Sequence, residues 1–385
     1  MNIRELTGGV LLVGLSTIVG LGLTEGGARL FLNAADYLSI EVVEDPVLGG
    51  VVPPNRSGYD EWGFRNEGVP NSVDIVALGD SHTYGNTAKM IEAWPRVVGR
   101  ATGRTVYNLG LGGYGPNQYY YLFKTRALTL NPRVILCGIY FGDDFDNAFR
   151  MTYGLDYWSF LRTMTVKDVD ANIWEDPDSP NLHTSWQKHL RVWLSRHSVV
   201  YQLMFHGPLA AQFLGSAQIE NAARLNEAAT TLRIADIDVA EAFVPSAVLR
   251  GLDQSQESVR EGMRITIKLL AEMNEMARQR DIQFVVIVIP TKESVFSELL
   301  EKQPGLRHAD LIHRLFENER IAREKVFDFF ARSDIAYIDT LPALKREVLQ
   351  QLYAKSAGDM HPGKNGYRVI GEAVSNQLQN TQALR

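Results

Sequence analysis

The sequence is poor in cysteine, since Cys137 is the only cysteine among 385 residues. A single cysteine cannot form an intramolecular disulfide, so cysteine usage leaves the redox compartment open. Cys137 lies within the apolar run Val134–Tyr140. Because free cysteine packs as a small apolar residue, we expect it to be buried in a strand and to carry no chemistry.

The sequence also lacks the common motifs for metal ions and nucleotides. No His and Cys residues have the spacing of a zinc site, and no G-x-x-x-x-G-K motif is present. The segment Asp168–Asn172 is followed by Ile173 and Ser179, where a calcium-binding EF-hand loop requires glycine and glutamate. We therefore predict no metal ion and no cofactor.

Strong positive charge is absent as well. The 39 Lys and Arg residues and 45 Asp and Glu residues give a formal net charge of −6, without a basic cluster. Nucleic acid is therefore not an expected partner. The hydrophobic content of 45% and charged content of 22% are typical of globular proteins. The length allows one large domain or two modest ones, and no internal repeat is evident.

One uncharged run stands out near the N-terminus. Leu6–Thr24 contains 19 residues without a charge, and as a helix it would be about 28 Å long, close to the thickness of the bilayer hydrocarbon. A cleaved signal peptide is the alternative, but the best cleavage pattern, Asn33–Ala35, lies beyond Glu25 and Arg29. We predict that residues 1–24 form an uncleaved single-pass membrane anchor.

The orientation of this anchor is not fixed by charge, because Arg4 precedes it and Arg29 follows it. We expect the remainder of the chain to face the periplasm or the cell exterior. Residues 25–70 are rich in loop-forming residues such as Pro53 and Pro54. They are predicted to form a juxtamembrane stalk that leads into the fold.

Alternating strand and helix patterns occupy residues 71–150 and 261–385 and predict the two halves of one α/β core. Such alternation indicates a parallel sheet with helices on both faces, which is a three-layer architecture. Residues 151–260 interrupt the pattern and are predicted to form a largely helical insertion. The predicted core strands are residues 73–79, 105–108, 133–140, 283–289 and 335–338.

Four of the six tryptophans fall in this insertion. Aromatic faces can stack on sugar rings, so the insertion could form a lid or a glycan platform. Trp158 and Trp174 lie near predicted loops and are the better candidates for such contacts. The remaining two follow helical spacing with two leucines and predict a packed stripe of Trp186, Leu190, Trp193 and Leu194.

The first chemical motif lies at the end of the strand over residues 73–79, where the sequence reads Gly79-Asp80-Ser81-His82. Gly79 permits a sharp turn, and the helical pattern that follows places Ser81 at a strand-to-helix junction. Backbone N–H groups at such a junction can hold an anion. Ser81 is therefore a candidate nucleophile. The alternative is a structural turn, with Asp80 or Ser81 as the N-cap of a helix.

The second motif lies near the C-terminus, where Asp359 and His361 are two residues apart and Pro362 and Gly363 constrain the loop. A carboxylate beside an imidazole, together with a serine elsewhere, provides the groups of an acyl-transfer triad. A surface turn that contains a histidine is the alternative. We predict that Ser81, His361 and Asp359 form a catalytic triad, and that Asp80 is structural.

In these motifs the sequence resembles the SGNH (GDSL-type) hydrolases. Four blocks occur in the order typical of that family: Gly79–Ser81, Asn108–Gly115, Gly142–Asp144 and Asp359–Pro362. In the second block, Gly113 occupies the position of the family's oxyanion glycine. The resemblance is closest to membrane-anchored members with a large helical insertion, some of which are similar to bacterial polysaccharide O-acetyl transferases or esterases.

The resemblance implies a three-layer parallel-sheet core and acyl-ester chemistry. In the family, the serine and histidine that correspond to Ser81 and His361 act as nucleophile and general base, and the carboxylate that corresponds to Asp359 supports the histidine. Many members have Asp-x-x-His in the last block, whereas this chain has Asp-x-His. The acetyl-transferase branch tolerates that spacing, so the difference points to a subgroup.

The third block departs from the family more sharply, because Asp143 stands where the family has an oxyanion asparagine. An ionised aspartate cannot donate a hydrogen bond and repels a developing negative charge. Three alternatives remain open from the sequence. Asp143 is held protonated, nearby Asn147 supplies the amide, or backbone N–H groups, including those of Ser81 and Gly113, suffice.

These observations predict a serine hydrolase that acts on acyl esters, with acetyl the expected group, through an acyl-serine intermediate. It would be an esterase or an O-acyltransferase on a glycan or a small ester. The alternative is a catalytically weak or inactive membrane-tethered component that binds glycan on the same scaffold, which the substitution at Asp143 motivates. The sequence does not indicate an oligomeric state.

Overall fold

The structure is a computed structural model of the chain, and it describes residues 3–166, 169, 186–205, 230–234, 239–353 and 359–380. Its centre is a five-stranded, wholly parallel sheet in the order β4-β3-β5-β8-β9. These strands are β3 (Ile75–Leu78), β4 (Val106–Asn108), β5 (Val134–Tyr140), β8 (Gln283–Ile289) and β9 (Ala336–Asp339).

Alternate residues of the central strand β5 face two different hydrophobic cores. Ile135, Cys137 and Ile139 pack into one core, which includes apolar residues of the helices over residues 116–125, 257–278 and 309–332. Val134 and Leu136 pack into the other, with the helices over residues 94–102 and 364–380. Because side chains of a strand alternate between its two faces, this division produces three layers. The predicted α/β class is confirmed, and Cys137 is buried as expected.

Helices surround the sheet and follow most of its strands. The first long helix after β3 begins at Trp94, where a 3₁₀ turn over Met90–Glu92 precedes it and Pro95 stands in its first turn. The helices in the described parts of the chain are α1 (Ile3–Phe31), α2 (Ser81–Tyr84), α3 (Trp94–Thr102), α4 (Pro116–Thr125), α5 (Asp144–Gly154), α6 (Trp186–His197), α7 (Val199–Phe205), α8 (Pro245–Leu252), α9 (Glu257–Arg278), α10 (Lys292–Val295), α11 (Ser297–Glu301), α12 (Ala309–Arg332), α13 (Leu341–Arg346) and α14 (Lys364–Asn380).

Two antiparallel hairpins lie outside the central sheet. The first pairs β1 (Val43–Asp45) with β2 (Gly49–Val51) in the segment predicted as a stalk. The second pairs β6 (Thr230–Ile234) with β7 (Val239–Phe243). It adds a small sheet to an insertion for which the sequence predicted mainly helices. The helices α6, α7 and α8 also lie in this insertion.

The tryptophans of the insertion differ from the expectation. Trp158 is buried, and its indole N–H donates to the carbonyl oxygen of Val47 at 2.8 Å, so it is a packing residue and not a sugar platform. Trp186 and Trp193 are exposed, although helical spacing predicted a packed stripe. The pattern correctly indicated a helix, but it could not tell which side of that helix meets the protein. Trp174 lies outside the described residues.

The N-terminal helix α1 continues past the predicted end of the anchor at Thr24 and ends at Phe31. Its segment Leu11–Phe31 has 21 residues with a mean hydropathy of 1.4, which is long and apolar enough to cross a membrane. A signal sequence near an N-terminus meets the same criterion of length and composition. The leucines along this segment, among them Leu11 and Leu15, are exposed.

Candidate active site

Ser81 lies directly after strand β3, at the first position of the short helix α2. Asp80 is the N-cap residue, and its Oδ1 accepts a hydrogen bond from the backbone N–H of His82 at 2.9 Å. Gly79 is required at the turn, because a Cβ at this position would lie 2.0 Å from Thr83 Oγ1. The turn therefore holds Ser81 at the carboxyl end of the sheet, almost fully buried.

Ser81, His361 and Asp359 are brought together as a hydrogen-bonded relay. His361 Nε2 lies 2.8 Å from Ser81 Oγ, and His361 Nδ1 lies 2.7 Å from Asp359 Oδ1. With Nδ1–H donating to the carboxylate, Nε2 is left as the acceptor for the serine hydroxyl. Both Asp359 and His361 keep about a fifth of their side-chain surface exposed (24% and 21%), so the relay opens toward solvent.

Several contacts fix the loop that carries the histidine. The backbone N–H of His361 donates to Asp359 Oδ1 at 2.9 Å, so one carboxylate oxygen holds both the ring and the main chain of the histidine. Thr87 Oγ1 donates to the carbonyl oxygen of Pro362 at 2.8 Å. Tyr367 donates its hydroxyl to the carbonyl oxygen of Asn86 at 2.9 Å. These bonds join the last helix α14 and its preceding loop to the segment that follows Ser81.

A buried lysine also supports this loop. Lys292 follows strand β8, and its ammonium group forms an ion pair of 2.6 Å with Glu241 while both side chains are almost fully buried. It also donates to the carbonyl oxygen of Asp359 at 3.3 Å. Phe243 and Tyr353 present their ring faces to the ammonium group, with centroids 5.3 and 5.2 Å away. Lys292 therefore connects the β6–β7 hairpin to the loop of the triad.

No role was assigned to Lys292 from the sequence, although its position there offered a hint. The run Ile289–Glu293 directly follows a buried strand, and a lysine there is the kind of polar residue that collects at the carboxyl edge of a parallel sheet. Its partner Glu241 lies 51 positions earlier in a hairpin that the sequence did not predict. Spacing alone therefore could not identify the pair.

The second block forms the wall beside the serine. Asn108 ends strand β4, its side-chain amide donates to the carbonyl oxygen of Thr83 at 2.8 Å, and its Oδ1 accepts from the N–H of Gly110 at 2.8 Å. A Cβ built on Gly112 would lie 3.7 Å from Ser81 Cβ. Gly113 has φ = 73°, a left-handed conformation that favours glycine. The block thus brings backbone close to Ser81.

Asp143 and Asp144 follow strand β5, the neighbour of β3 in the sheet, and both are held in a carboxylate-rich environment. Burial raises the pKa of Asp143 well above its usual value, and the negative charge of Asp80 raises it further, while His361 opposes the shift. Asp143 Oδ1 is shielded from solvent and has no hydrogen-bond partner among the described residues. These conditions favour the neutral carboxylic acid.

The environment of Asp80 favours its ionised form instead. Burial alone would raise its pKa, but the charge and hydrogen bonds of His82 and the charge of His361 lower the pKa below its usual value. Asp80 Oδ2 lies 3.0 Å from His82 Nδ1. Neighbouring carboxyl groups whose pKa values are pushed apart divide the protonation states between them. The two shifts therefore favour an ionised Asp80 and a neutral Asp143.

Asp144 and Asn147 complete the third block. Asp144 accepts a hydrogen bond from the hydroxyl of Tyr119 at 2.8 Å and one from the backbone N–H of Tyr140 at 2.9 Å, so it secures the strand end. The side-chain amide of Asn147 hydrogen-bonds Asp143. Asn147 packs against Gly115, where a Cβ would lie 2.8 Å from Asn147 Cβ. Asn147 is thus a partner of Asp143 in the loop beside the triad.

The topology explains why these blocks meet. In the order β4-β3-β5, the chain passes from β3 to its neighbour β4 on one side and then crosses to β5 on the other side. Open α/β sheets place ligands in the crevice at such a reversal of strand order. Ser81 follows β3, Gly113 follows β4 and Asp143 follows β5. Among the described residues, no group of three or more His, Cys, Asp or Glu side chains is placed to hold a metal ion. The site therefore consists of a serine, a histidine and carboxyl groups.

No protein-family model and no curated protein matches the sequence, but solved structures are similar to it. An extracellular lipase from Streptomyces rimosus has a TM-score of 0.39 and 12% identity, over 79% of this chain and 99% of the lipase. A GDSL-like lipase from Bacteroides thetaiotaomicron VPI-5482 has a TM-score of 0.36 and 10% identity, over 80% of this chain and 88% of the lipase.

A catalytic mutant of an acetylxylan esterase from Geobacillus stearothermophilus also has a TM-score of 0.36 and 10% identity, over 80% of this chain and 95% of the esterase. Such low scores carry no conclusion about chemistry, which depends on the geometry of the triad. In its parallel sheet, and in the four ordered blocks that meet at the carboxyl edge of that sheet, the chain resembles the SGNH (GDSL-type) hydrolases.

Proposed function

We propose that this protein is a serine hydrolase of the SGNH type that acts on acyl esters. One observation carries the proposal, namely the continuous relay from Ser81 Oγ to His361 Nε2 at 2.8 Å and from His361 Nδ1 to Asp359 Oδ1 at 2.7 Å. A serine within hydrogen-bond reach of a base that is itself oriented by a carboxylate is the arrangement that nucleophilic catalysis requires.

In the first half of the reaction, Ser81 Oγ attacks the carbonyl carbon of the ester while His361 Nε2 takes the hydroxyl proton. The carboxylate of Asp359 stabilises the imidazolium that forms and keeps the ring in the correct tautomer. The tetrahedral intermediate collapses as the C–O bond to the alcohol breaks, and His361 returns the proton to the leaving oxygen. The products are a free alcohol and an acyl group on Ser81.

In the second half, a hydroxyl compound resolves the acyl-serine. His361 takes the proton of the incoming oxygen, which attacks the acyl carbon, and Ser81 leaves with that proton restored. Water as acceptor makes the protein an esterase, and a sugar hydroxyl makes it an O-acyltransferase. We propose an acetyl ester of a glycan or a small alcohol as the substrate, because the four blocks resemble those of esterases and O-acetyl transferases and the sequence shows no cationic clamp for a phosphate.

The developing negative charge needs donors at the oxyanion position. Backbone N–H groups of Ser81 and Gly113 are the proposed pair, since both lie at turns that border the nucleophile. Asp143 is the third proposed donor, as a neutral carboxylic acid that presents an O–H group. Its burial and the nearby charge of Asp80 favour that neutral form. Asn147, which hydrogen-bonds Asp143, is proposed to orient it.

We further propose that helix α1 anchors the protein in a membrane as a single span, with the active site in the periplasm or outside the cell. The end of α1 is bound into the fold, which supports retention of the helix over its removal as a signal peptide. Glu25 accepts hydrogen bonds from the backbone N–H groups of Val199 and Val200, both at 3.0 Å, and Arg29 donates to the carbonyl oxygen of His197 at 2.7 Å.

The experiment that tests the chemistry is active-site labelling followed by mass spectrometry. An activated phosphonate ester should modify Ser81 in the full chain, and exposure to an acetyl ester should leave an acetyl group there that later disappears. The substitution Ser81→Ala should abolish both modifications, because no other serine forms this relay in the described parts of the chain. Ser72→Ala, which changes an exposed serine, is the matched control and should label normally.

Equal labelling of Ser81→Ala and the unchanged chain would sink the proposal. A chain that binds acetylated glycan but never becomes acylated would favour the alternative, a membrane-tethered binding component on a hydrolase scaffold. The ordered relay speaks against that alternative, since a site used only for binding does not need a serine hydroxyl aligned with an imidazole.

A further inference from the structure

Helix α6 presents an apolar stripe that faces away from the rest of the protein. Trp186, Leu190 and Trp193 are 71%, 46% and 56% exposed. Their spacing of four and then three residues places them on one side of the helix. Val192 and Ser195, on the opposite side, are buried. The stripe is therefore a surface of the helix and not part of a core.

The next helix also exposes apolar side chains, since Met204 and Phe205 at the end of α7 are exposed. Large exposed apolar residues are common singly, but several on two consecutive helices indicate a surface that meets an apolar partner. Outside the stripe, α6 contains Lys188 and Arg191 and no acidic residue, while its third basic residue, Arg196, pairs with Glu41 at 4.0 Å.

The helix pair is fixed to the membrane-anchor helix. Glu25 of α1 caps the first turn of α7 by accepting from the N–H groups of Val199 and Val200 at 3.0 Å, and it accepts from the hydroxyl of Ser198 at 2.9 Å. Arg29 joins the end of α6 through the carbonyl oxygen of His197 at 2.7 Å. The apolar stripe is thus held beside the point where α1 leaves its uncharged segment.

We propose that α6 and α7 lie on the membrane surface as interfacial helices, with the stripe of Trp186, Leu190 and Trp193 in contact with lipid. This inference rests on the proposed anchoring by α1. Interfacial helices combine tryptophan and leucine on one face with Lys and Arg on the other, and their apolar face reaches roughly 5–10 Å into the headgroup region. The basic residues of α6 fit an anionic phospholipid surface.

The contact would also set the position of the active site. The helix pair is bonded to the segment that leads into the core, because Ser39 donates its N–H to the carbonyl oxygen of Ser195 at 3.0 Å and Gln202 donates to Ser39 Oγ at 2.9 Å. An anchor with a second contact at the bilayer holds the core at a defined orientation. A flexible stalk would let it rotate freely.

The test uses the full chain in nanodiscs of phosphatidylcholine and phosphatidylglycerol. Cys137 is fully buried, so an engineered cysteine can be labelled with an environment-sensitive fluorophore while the unchanged chain reports the background. Trp193→Cys examines the stripe. Leu349→Cys, at an apolar residue 55% exposed in the catalytic half, is the control for water exposure. Leu15→Cys, on α1, reports insertion of the anchor.

Quenchers attached to the lipid acyl chains should reduce the emission at position 193 by at least about threefold more than at position 349, as expected for a residue among the headgroups. The label at position 15 should be quenched as well. If position 15 is quenched but position 193 stays exposed to water, the interfacial contact is wrong while the anchor stands. If position 15 is not quenched, the anchor fails and this inference fails with it.

Shielding of position 193 from water without quenching by lipid would mean that protein covers the stripe, either another copy of the chain or another segment, and would also overturn the proposal. Discs of phosphatidylcholine alone provide a further check. Quenching at position 193 should fall when the anionic lipid is removed, because Lys188 and Arg191 then lose the attraction of the negatively charged surface. Unchanged quenching would contradict the assigned role of those basic residues.

Discussion

Two regions of the molecule depart from ordinary packing in opposite directions. At the carboxyl edge of the sheet, charged groups such as Asp80, Glu241 and Lys292 are buried, and neighbouring polar groups hold them in place. On α6, large apolar side chains such as Trp186 and Trp193 are exposed. Burying charge and exposing apolar surface are both unfavourable in isolation. Each is retained where a partner outside the folded chain is expected, a substrate in one region and a lipid surface in the other.

The comparison is tested most severely by removing the buried ammonium group. The substitution Lys292→Met leaves Glu241 buried without its partner, and such a loss lowers the free energy of unfolding by about 3–5 kcal/mol. It also removes the donor to the carbonyl oxygen of Asp359. We expect a large fall in the thermal unfolding midpoint and a fall in kcat for ester hydrolysis.

A second variant separates these two effects. In Lys292→Met with Glu241→Leu, no buried charge is left unpaired, so stability should recover while kcat stays low, because the loop of Asp359 still lacks its donor. Recovery of kcat along with stability would make Lys292 a purely structural residue. Thermal unfolding and steady-state kinetics on the same preparations provide both measurements.

The next prediction concerns the neutral carboxyl group. Because the pKa of Asp143 is raised in the folded protein, the group is neutral below that raised pKa and ionises as the pH increases through it. We expect kcat to decline on the alkaline side. Asp143→Asn supplies a donor at every pH and should remove that decline. At full ionisation of Asp143, the loss of kcat should approach the equivalent of roughly 3–4 kcal/mol, which is what one oxyanion donor contributes to transition-state stabilisation.

The measurement is the pH dependence of kcat with an acetyl ester. Asp328→Asn is the matched control, since it makes the same change at an exposed aspartate of α12 that is not among the groups acting on the pKa of Asp143. An alkaline decline that persists in Asp143→Asn would exclude the neutral-donor role.

The smallest expected effect concerns stability alone. Burial raises the pKa of Glu293 to about 7, and its Oε2 has no hydrogen-bond partner in the described structure. The unfolded chain ionises this group near 4.5, so its contribution is fully favourable below that pH and is lost as the pH rises through about 7. Glu293→Gln should therefore raise stability more at pH 8 than at pH 5.

A shift of this size corresponds to roughly 3 kcal/mol at pH 8 and about 1 kcal/mol at pH 5. Urea unfolding of Glu293→Gln and of the unchanged chain at the two pH values measures the difference. The exposed Glu301 offers a control, since Glu301→Gln should alter stability equally at both pH values. A stabilisation by Glu293→Gln that is independent of pH would show that the carboxyl group does not titrate in this range.

The two regions also differ in how far the sequence could predict them. Strands β3, β5 and β8 were expected nearly at their observed bounds, because their apolar, β-branched runs are local signals. Ser81 and His361 were identified as a pair from their motifs. The stripe of α6 was assigned to the core, because helical spacing is the same for a face that meets protein and a face that meets lipid. Lys292 was assigned no role from the sequence, since its partner Glu241 lies in the β6–β7 hairpin, which was not predicted.

By itself, the sequence determined the alternation of strands and helices, the turn that carries Ser81 and the loop that carries Asp359 and His361, because each depends on neighbours a few residues away. Only the tertiary structure decided that two groups 280 positions apart lie within hydrogen-bond distance. It also decided that Asp80 lies close enough to raise the pKa of Asp143, and that α6 turns its tryptophans outward. Those outcomes depend on which surfaces meet in three dimensions, because those contacts determine which side chains are buried and which charges act on them.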